Sequence, residues 1–461
     1  MSLRSKVMSG GFYLAMRQGI GMVISLGGIL LLTRLIGPKN YGLYTATFGI
    51  FWYLQTICQL GVEVYLVRHE GEEQLQIYHQ GFTLLLLLGL GGMGISLLGI
   101  PLLQSWVRLP GFSTIAQVMF IGLPLALIGQ VPTSRLERNL DYRRIALVEL
   151  ANQAVFFLVA LPLAFQGWGV WAPVTGWWVQ LIQTTGLFYW VSGYRPRWHW
   201  NHELIKQMLS YSAGFSASTW IWYARTLVNP LLVGRFAGLE AVGYVALAIR
   251  LVEVLGFVKT ATWRIALATL AKFQGDRPRL LNAVNEGMGL QILALGPLLV
   301  GFAWVAPWLI PLLFGAKWLP VAAVFPFIAL GSLTNALFNL HCSTLYVLNR
   351  NWEVTVFHIF HLALFVSASA LLIPRLGLVG YGWAEVVALP SYFAVHLFLS
   401  RLMSSPDYEW SGLLWGAFAM ALFAHPIGWW AGLGLLGVAY LPATRFKIRG
   451  YWKSIRGGAI G

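Results

Sequence analysis

The stretch QGFTLLLLLGLGGMGISLLGIPLL, residues 80–103, runs for 24 positions without a charged residue. A membrane-spanning α-helix needs about 20 consecutive apolar residues to cross the hydrocarbon core of a bilayer. The stretch lacks the alternation of polar and apolar residues that a lipid-facing barrel strand shows. It therefore predicts a transmembrane helix.

The composition of the whole chain agrees with this prediction, since 58% of its 461 residues are hydrophobic and only 10% are charged. Soluble domains carry roughly a quarter charged residues, so a soluble protein is excluded. The apolar runs predict an all-α, polytopic integral membrane protein with 14 transmembrane helices, or 12 if the last hairpin does not span. The predicted helices are residues 11–34, 41–67, 80–103, 112–134, 145–165, 168–191, 210–234, 241–267, 287–314, 319–347, 354–374 and 378–400, followed by a hairpin at 411–442.

The distribution of Lys and Arg over alternate loops predicts the orientation of the chain. Twenty of these residues fall on the side that holds both termini, against five or six on the other side. By the positive-inside rule both termini are expected in the cytoplasm. This bias accounts for most of the net charge of +15, so no nucleic-acid partner is expected.

The loops contain no sign of catalytic chemistry. None is long enough for a folded domain, and no phosphate-cradling glycine motif is present, which argues against ATP hydrolysis. Cys58 and Cys342 form neither a disulfide framework nor a metal motif. We expect no enzymatic activity, no catalytic residues, no metal and no cofactor; a membrane glycan polymerase would require a catalytic loop.

The chain contains an internal duplication. Shifting it by 201 positions matches Arg34, Gly37 and Gly42 with Arg235, Gly238 and Gly243. A shift of 212 matches Arg138-Asn139 with Arg350-Asn351, Pro162 with Pro374, Trp171-Ala172 with Trp383-Ala384 and Val174 with Val386. The order of the matches predicts two parallel six-helix repeats around a central cavity. The predicted domains are residues 1–200, 201–400 and a terminal hairpin with a basic tail at 401–461.

Five stretches of the chain carry a family resemblance. The first is TRLIGPKNYGLYTATFGIFWYLQTICQLGVEVYLVR, Thr33 to Arg68. The others are Ser134–Leu150, Val242–Val258, Leu312–Gly331 and Leu376–Pro390. These stretches resemble Wzx-type oligosaccharide and polysaccharide flippases of the multidrug/oligosaccharidyl-lipid/polysaccharide exporter superfamily, which implies a location in a bacterial cytoplasmic (inner) membrane.

This resemblance implies two six-helix bundles with a V-shaped central cavity. It also implies alternating access that moves a polyprenyl-diphosphate-linked oligosaccharide to the outer leaflet for polysaccharide biosynthesis. The expected partners are the lipid-linked oligosaccharide, membrane lipid, H+ or Na+ as a coupling ion, and a polymerase with other polysaccharide-assembly proteins. A lipid II flippase and an ion-coupled multidrug exporter of the same superfamily are the alternatives.

Charged residues inside the predicted helices are the candidate site residues, because each costs roughly 2.5 to 3.5 kcal/mol at mid-bilayer on insertion scales unless it faces a cavity or a partner. Five basic and three acidic residues leave a surplus of two positive charges, which suits an anionic diphosphate. The basic residues are Arg17, Arg225, Arg250, Lys259 and Arg264, and the acidic ones are Glu63, Glu253 and Glu385. The predicted headgroup ligands are Arg17, Arg225 and Arg250, with Glu63, Glu253 and Lys259 as further lumen residues.

Some of these residues have a second interpretation. Arg250 and Glu253 are three apart on one helix and could neutralise each other. Glu63 could be a proton or cation site, or could pair with Arg17 or Arg68.

The seventh predicted helix carries aromatic residues and a proline. Trp220, Trp222 and Tyr223 could stack on sugar rings or pack against lipid and neighbouring helices. Pro230 is expected to bend this helix, since proline removes a backbone hydrogen bond.

Overall fold

The computed structural model describes residues 3–69, 75–257, 275–442 and 444–447, together with Leu270 and Phe273. Over these residues the chain forms helices joined by short turns, and no strand is present in them. The chain divides into two compact units, the first comprising Met1–Ala246 with Leu313–Trp318, and the second Leu247–Leu312 with Leu319–Gly461. The prediction of an all-α, polytopic membrane protein is confirmed.

The helices of the first unit match the apolar runs of the sequence. They are α1 (Leu3–Cys58), α2 (Val62–Arg68), α3 (Leu75–Val107), α4 (Phe112–Phe120), α5 (Leu123–Ile128), α6 (Gln130–Arg138), α7 (Tyr142–Phe165), α8 (Trp171–Ser192) and α9 (His202–Ala224). The helix α10 (Gly234–Leu255) begins in the first unit and ends in the second.

The second unit continues the same pattern. Its helices are α11 (Arg277–Phe314), α12 (Val321–Val347), α13 (Asn351–Leu376), α14 (Leu378–Ala388), α15 (Tyr392–Ser400), α16 (Glu409–Leu422), α17 (Ala424–Ile427) and α18 (Leu433–Tyr440). The last two residues of α11 and the 3-10 turn Ala316–Trp318 belong to the short segment Leu313–Trp318 of the first unit.

Seven helices among the described residues are long and apolar enough to cross a membrane. They number eight if Phe112–Phe120 and Leu123–Arg138, which meet at 41°, count as one bent span. The chain is therefore a multi-pass membrane protein. The total of 14 spans and the three predicted domains remain predictions.

Two glycines of the internal repeat share one unusual backbone conformation. Gly37 has φ 73° and ψ 171°, and Gly238 has φ 86° and ψ 179°, within otherwise helical segments. This region of φ/ψ space is accessible almost only to glycine. The kink at Gly37 separates the helices predicted at 11–34 and 41–67, and the second of these ends at Cys58, before the short helix α2. The 201-residue shift therefore relates two equivalent kinks.

After these kinks α1 and α10 cross at the other matched glycines. A Cβ atom on Gly42 would overlap the carbonyl oxygen of Leu239, and a Cβ atom on Gly243 would overlap the carbonyl oxygen of Pro38. Pro38 and Leu239 are themselves 201 positions apart, so the two contacts are equivalent. We call this contact the glycine crossing. It brings backbone against backbone, as small residues allow at helix interfaces in membranes.

Trp318 packs against the residues next to the glycine crossing. Its ring is 1% exposed, and Tyr41 and Tyr244 approach it edge-on with ring centroids 5.7 and 5.9 Å away. The indole Nε1 donates to the backbone oxygen of Thr33 at 3.2 Å. The two turns that follow the first and seventh predicted helices, which are expected on the outer side of the membrane, are thus tightly packed at the glycine crossing.

The second half of the repeat needs a different alignment. At the turn between α6 and α7 the backbone N–H groups of Asn139, Leu140 and Asp141 donate to Arg135, Glu137 and Leu136. The turn between α12 and α13 repeats this pattern 209 positions later, with Leu140 at φ 56° and Asn349 at φ 58°. The match of Arg138-Asn139 with Arg350-Asn351, made at a shift of 212, is therefore wrong by three residues. The sequence alignment matched the identical dipeptides Arg-Asn, whereas the equivalent turns lie three residues away from that match.

The helix is irregular around Pro230, where the sequence predicts a bend. The α-helix α9 ends at Ala224, and a 3-10 turn over Arg225–Leu227 and a π-helical turn over Asn229–Val233 follow. Proline cannot donate the backbone hydrogen bond that a regular helix needs at this point. The irregular segment sets the position of Arg225.

Candidate functional site

A polar cavity of about 360 Å³ lies within the first unit. Its walls come from the end of α1, the turn before α2, and α9. We call it the first cavity; it is lined by Trp52, Gln55, Thr56, Gln59, Gly61, Glu63, Ser216, Thr219, Trp220 and Tyr223. The spacing on the two long helices is the same, since residues 52, 55, 56 and 59 and residues 216, 219, 220 and 223 each follow the i, i+3, i+4, i+7 pattern of one helical face.

A tight turn places the carboxyl group of Glu63 against this cavity. Leu60 and Gly61 both have positive φ, 48° and 73°, which interrupts the helix between α1 and α2. The hydroxyl of Ser212 donates to the backbone oxygen of Gly61 at 2.9 Å and ties the turn to α9. A Cβ atom on Gly61 would approach Ser216 Oγ to 2.5 Å, so the turn and α9 are in close contact.

Two buried polar atoms at the first cavity have no hydrogen-bond partner among the described residues. They are Oε2 of Glu63 and Oγ of Ser216. Buried polar groups in proteins are nearly always hydrogen-bonded to protein, water or ligand. The first cavity therefore has the capacity to bind a polar ligand or an ion.

The aromatic walls of the first cavity are held in fixed positions. Nε1 of Trp220 donates to the backbone oxygen of Thr56 at 3.1 Å. Trp52 and Tyr223 meet edge-to-face with centroids 4.6 Å apart and an interplanar angle of 82°. Of the three aromatic residues singled out in the sequence, Trp220 and Tyr223 line the cavity.

A second cavity of about 170 Å³ shares Gln55 with the first. Its walls also combine aromatic and uncharged polar groups, including Trp177, Gln130 and Thr133. The buried Oγ1 of Thr184, another lining residue, lacks a hydrogen-bond partner in the described part of the chain. Gln55 is thus the side chain placed to contact ligand in both cavities.

Arg17 forms an ion pair that the sequence reading missed. Its Nε lies 2.9 Å from Oε2 of Glu149 on α7, and the two side chains are 34% and 33% exposed. The suggested pair of Arg17 with Glu63 is not formed. Glu149 adds a fourth acidic residue to the three counted within the helices, so the surplus of positive charge falls from two to one. Nothing in the sequence around position 149 indicates which distant cation it meets.

Arg225 lies on the 3-10 turn that follows α9. Its guanidinium carbon stands 5.1 Å from the centroid of the Trp222 ring, a cation–π distance. The indole of Trp222 therefore serves as a platform for Arg225, two residues from Tyr223 of the first cavity.

Arg250 belongs to the second unit and pairs with Glu253 through Nη1 and Oε2 at 3.2 Å. The pair expected from two residues three apart on one helix is thus formed, and Glu253 is exposed by 59% of its side chain. Lys259 and Arg264 lie outside the described residues.

The comparisons with known proteins agree with this membrane architecture. The sequence profile described as polysaccharide biosynthesis protein matches residues 31–323, more than half of the chain. The chain belongs to this family. The match confirms the resemblance stated from the sequence, and it covers both the first cavity and the glycine crossing.

Several curated relatives of the family are similar to the chain. The lipopolysaccharide biosynthesis protein WzxC of Escherichia coli is 22% identical over 95% of this chain and 90% of its own length. The succinoglycan biosynthesis transport protein ExoT of Rhizobium meliloti is 25% identical over 68% of this chain. The chain spans 63% of the length of that relative, just under two thirds.

Solved structures show the same fold at low sequence identity. The lipid II flippase MurJ in an inward closed conformation has a TM-score of 0.72 at 11% identity, over 97% of this chain and 99% of its own. An inward-facing multidrug resistance MATE family transporter of the MOP superfamily has a TM-score of 0.67 at 16% identity, over 84% of this chain and 98% of its own. Both are transporters by name.

Proposed function

We propose that the chain is a flippase that moves a polyprenyl-diphosphate-linked oligosaccharide across the bacterial cytoplasmic membrane by alternating access, without enzymatic activity. Both termini would lie in the cytoplasm, as the distribution of basic residues predicts. The observation that carries the proposal is the first cavity, in a family named for polysaccharide biosynthesis.

The chemistry of the first cavity suits a glycan. Its walls present aromatic rings beside amides and hydroxyls, which can stack against the apolar faces of sugar rings and bond their hydroxyl groups. Its volume of about 360 Å³ lies at the lower end of the range for small-molecule sites. A short part of an oligosaccharide would therefore occupy it, while the polyprenyl chain stays in the bilayer.

The charged groups would divide the remaining tasks. Arg17, Arg225 and Arg250 are proposed to contact the diphosphate, since a guanidinium binds phosphate oxygens through paired N–H donors. Glu63, with Oε2 unpartnered in the described structure, is proposed to take up the coupling ion, H+ or Na+. Glu253 and Lys259 remain proposed lumen residues. A polymerase and other assembly proteins are the proposed partners on the outer side.

The glycine crossing supplies the mechanical part of the proposal. The packed turns at Pro38–Gly42 and Leu239–Gly243 are proposed to form the outer barrier of the transport path, so that the cavity loads from the inner side. In the outward-open state this contact has to separate. The irregular segment around Pro230 adjoins it in sequence and offers a bending point.

Reconstitution tests the proposed activity directly. Vesicles containing the purified chain and a fluorescent lipid-linked oligosaccharide should expose the label to an external quencher, whereas empty vesicles should not. Absence of protein-dependent translocation for bacterial lipid-linked oligosaccharides of neutral and acidic composition would refute the proposal.

A multidrug exporter is the second candidate, favoured by one observation. Glu63 lines the same cavity as Trp52, Trp220 and Tyr223, and a carboxylate beside aromatic rings is a combination that also binds organic cations. Expression in a drug-sensitive strain separates the two, because an exporter raises resistance to cationic drugs and a glycan flippase leaves it unchanged. Complementation of a strain depleted of peptidoglycan flipping would instead support a lipid II flippase.

Replacing Gln55 by leucine should reduce glycan translocation by about five- to tenfold, because a hydrogen-bonding group is lost in both cavities. The initial rate in the vesicle assay measures this effect. The matched control is Gln207→Leu, an exposed glutamine on α9. Equal rates for Gln55→Leu and the control would remove the two cavities from the glycan path.

A further inference from the structure

The segment between α8 and α9 carries an unusual run of residues, Tyr-Arg-Pro-Arg-Trp-His-Trp, at positions 194–200. Its arginines are exposed, and so are its tryptophans, Trp198 by 63% and Trp200 by 46%. We call residues 194–200 the Arg-Trp segment. Neither the glycan cavities nor the glycine crossing includes any of them.

The backbone of the Arg-Trp segment is fastened to the first turns of α3. The N–H of His199 donates to Oγ1 of Thr83 at 3.1 Å, and the N–H of Asn201 donates to Oε1 of Gln80 at 2.7 Å. These bonds fix the end of the segment next to α9.

The other end is fixed by the buried side chain of Tyr194. Its hydroxyl lies 3.0 Å from Nδ1 of His79, and its ring packs against Tyr78 and Tyr189. Burial raises the pKa of the Tyr194 phenol above its ordinary value, so the hydroxyl stays protonated and can donate to His79. Between these anchors the side chains of Arg195, Arg197 and Trp198 point outward as exposed groups.

The segment has the two chemical features of a membrane-interface site. Indole rings partition to the interface between headgroups and acyl chains, and guanidinium groups bind phosphate oxygens. From position 192 to 206 the charged residues are Arg195, Arg197, Glu203 and Lys206, three basic and one acidic. The net charge is complementary to an anionic lipid. Because the backbone is already held, little conformational entropy is lost on binding.

We propose that the Arg-Trp segment is a binding site for the headgroup of an anionic phospholipid in the cytoplasmic leaflet. Arg195 and Arg197 contact the phosphate, while Trp198 inserts beside the glycerol and the upper acyl chain. Trp200, whose Nε1 donates to Nε2 of His202 at 3.3 Å, supports the start of α9. The site rests on the proposed orientation of the chain and is independent of the glycan that it carries.

Native mass spectrometry of the purified full-length chain tests the site, with phosphatidylglycerol and phosphatidylcholine of equal chain length as probes. The double variant Arg195→Gln/Arg197→Gln should bind phosphatidylglycerol about tenfold more weakly than the wild type, since each basic residue near an anionic surface contributes severalfold in affinity. Binding of phosphatidylcholine, whose choline group cancels the charge of the phosphate, should fall much less. Trp198→Ala should weaken the binding of both lipids.

The matched control is Arg143→Gln/Arg144→Gln, which removes the same charge from another exposed inner position without neighbouring tryptophans. It should bind phosphatidylglycerol like the wild type. An equal loss in the control, or equal binding of the two lipids by the wild type, would overturn the proposal. If Arg195→Gln/Arg197→Gln binds lipid like the wild type but loses a co-purifying protein, the segment binds a protein and the proposal is wrong. Each readout is independent of glycan translocation, so it stands whether or not the proposed flippase activity is found.

Discussion

Replacing Gly42 or Gly243 by alanine is expected to lower glycan translocation by at least about tenfold, because the added methyl group overlaps a backbone carbonyl of the facing helix. A backbone oxygen cannot swing aside as a side chain can. Overpacking of this kind typically costs about 1 to 3 kcal/mol, which would destabilise the closed outer end relative to the open state. The vesicle assay measures the rate.

The control for this prediction is a glycine next to which no other atom would contact an added Cβ atom. Alanine at a helical position gains up to about 1 kcal/mol over glycine. Gly27→Ala on α1, where a Cβ atom meets nothing within 4 Å, should therefore leave transport and thermal stability unchanged or slightly improved.

A second readout reports the state of the outer end. In a background without Cys58 and Cys342, a cysteine at position 45 should react faster with an impermeant thiol reagent when Gly42 is replaced by alanine. Wild-type transport and labelling in both glycine variants would show that the glycine crossing is not part of the transport cycle.

Arg17→Ala should also reduce translocation by about tenfold or more, since a guanidinium proposed to bind the diphosphate is lost together with its ion pair to Glu149. Breaking a partly exposed pair of this kind should lower stability by about 1 to 3 kcal/mol. Initial transport rates and thermal unfolding of the purified variant measure the two effects separately.

The exchanged variant Arg17→Glu/Glu149→Arg distinguishes a headgroup ligand from a structural pair. It restores the ion pair but moves the guanidinium to α7. If Arg17 contacts the diphosphate, the exchange recovers thermal stability and leaves transport low. Recovery of both would assign the pair a purely structural role.

Much of the fold follows from hydropathy, because a membrane span needs a long apolar run wherever it lies. The kinks at Gly37 and Gly238 could be foreseen as repeat positions, but their backbone angles could not. The alignment of the second repeat failed at the turn containing Asn349. The identical dipeptides Arg138-Asn139 and Arg350-Asn351 suggested a shift of 212, whereas the turns themselves are 209 positions apart.

The candidate site was less accessible to prediction. Gln55, Gln59 and Ser216 are uncharged, so charge counting within the helices did not select them, although their helical spacing places them on common faces. Glu149 lies within the predicted helix 145–165 but was left out of the count of charged residues there. Its pairing with Arg17, far away in sequence, is encoded by no local pattern. Pairs such as Arg250 with Glu253, three residues apart on one helix, are readable in advance.

The glycine crossing has a consequence for how such a chain can diverge. Its two contacts join a glycine on one helix to a main-chain oxygen on the other, so they depend on the path of the backbone and on the absence of side chains at two positions. Substitutions elsewhere along α1 and α9, including those that reshape the walls of the first cavity, leave these two contacts unchanged. Members of the family could therefore change their substrate through substitutions in the cavity while the glycine crossing stays the same.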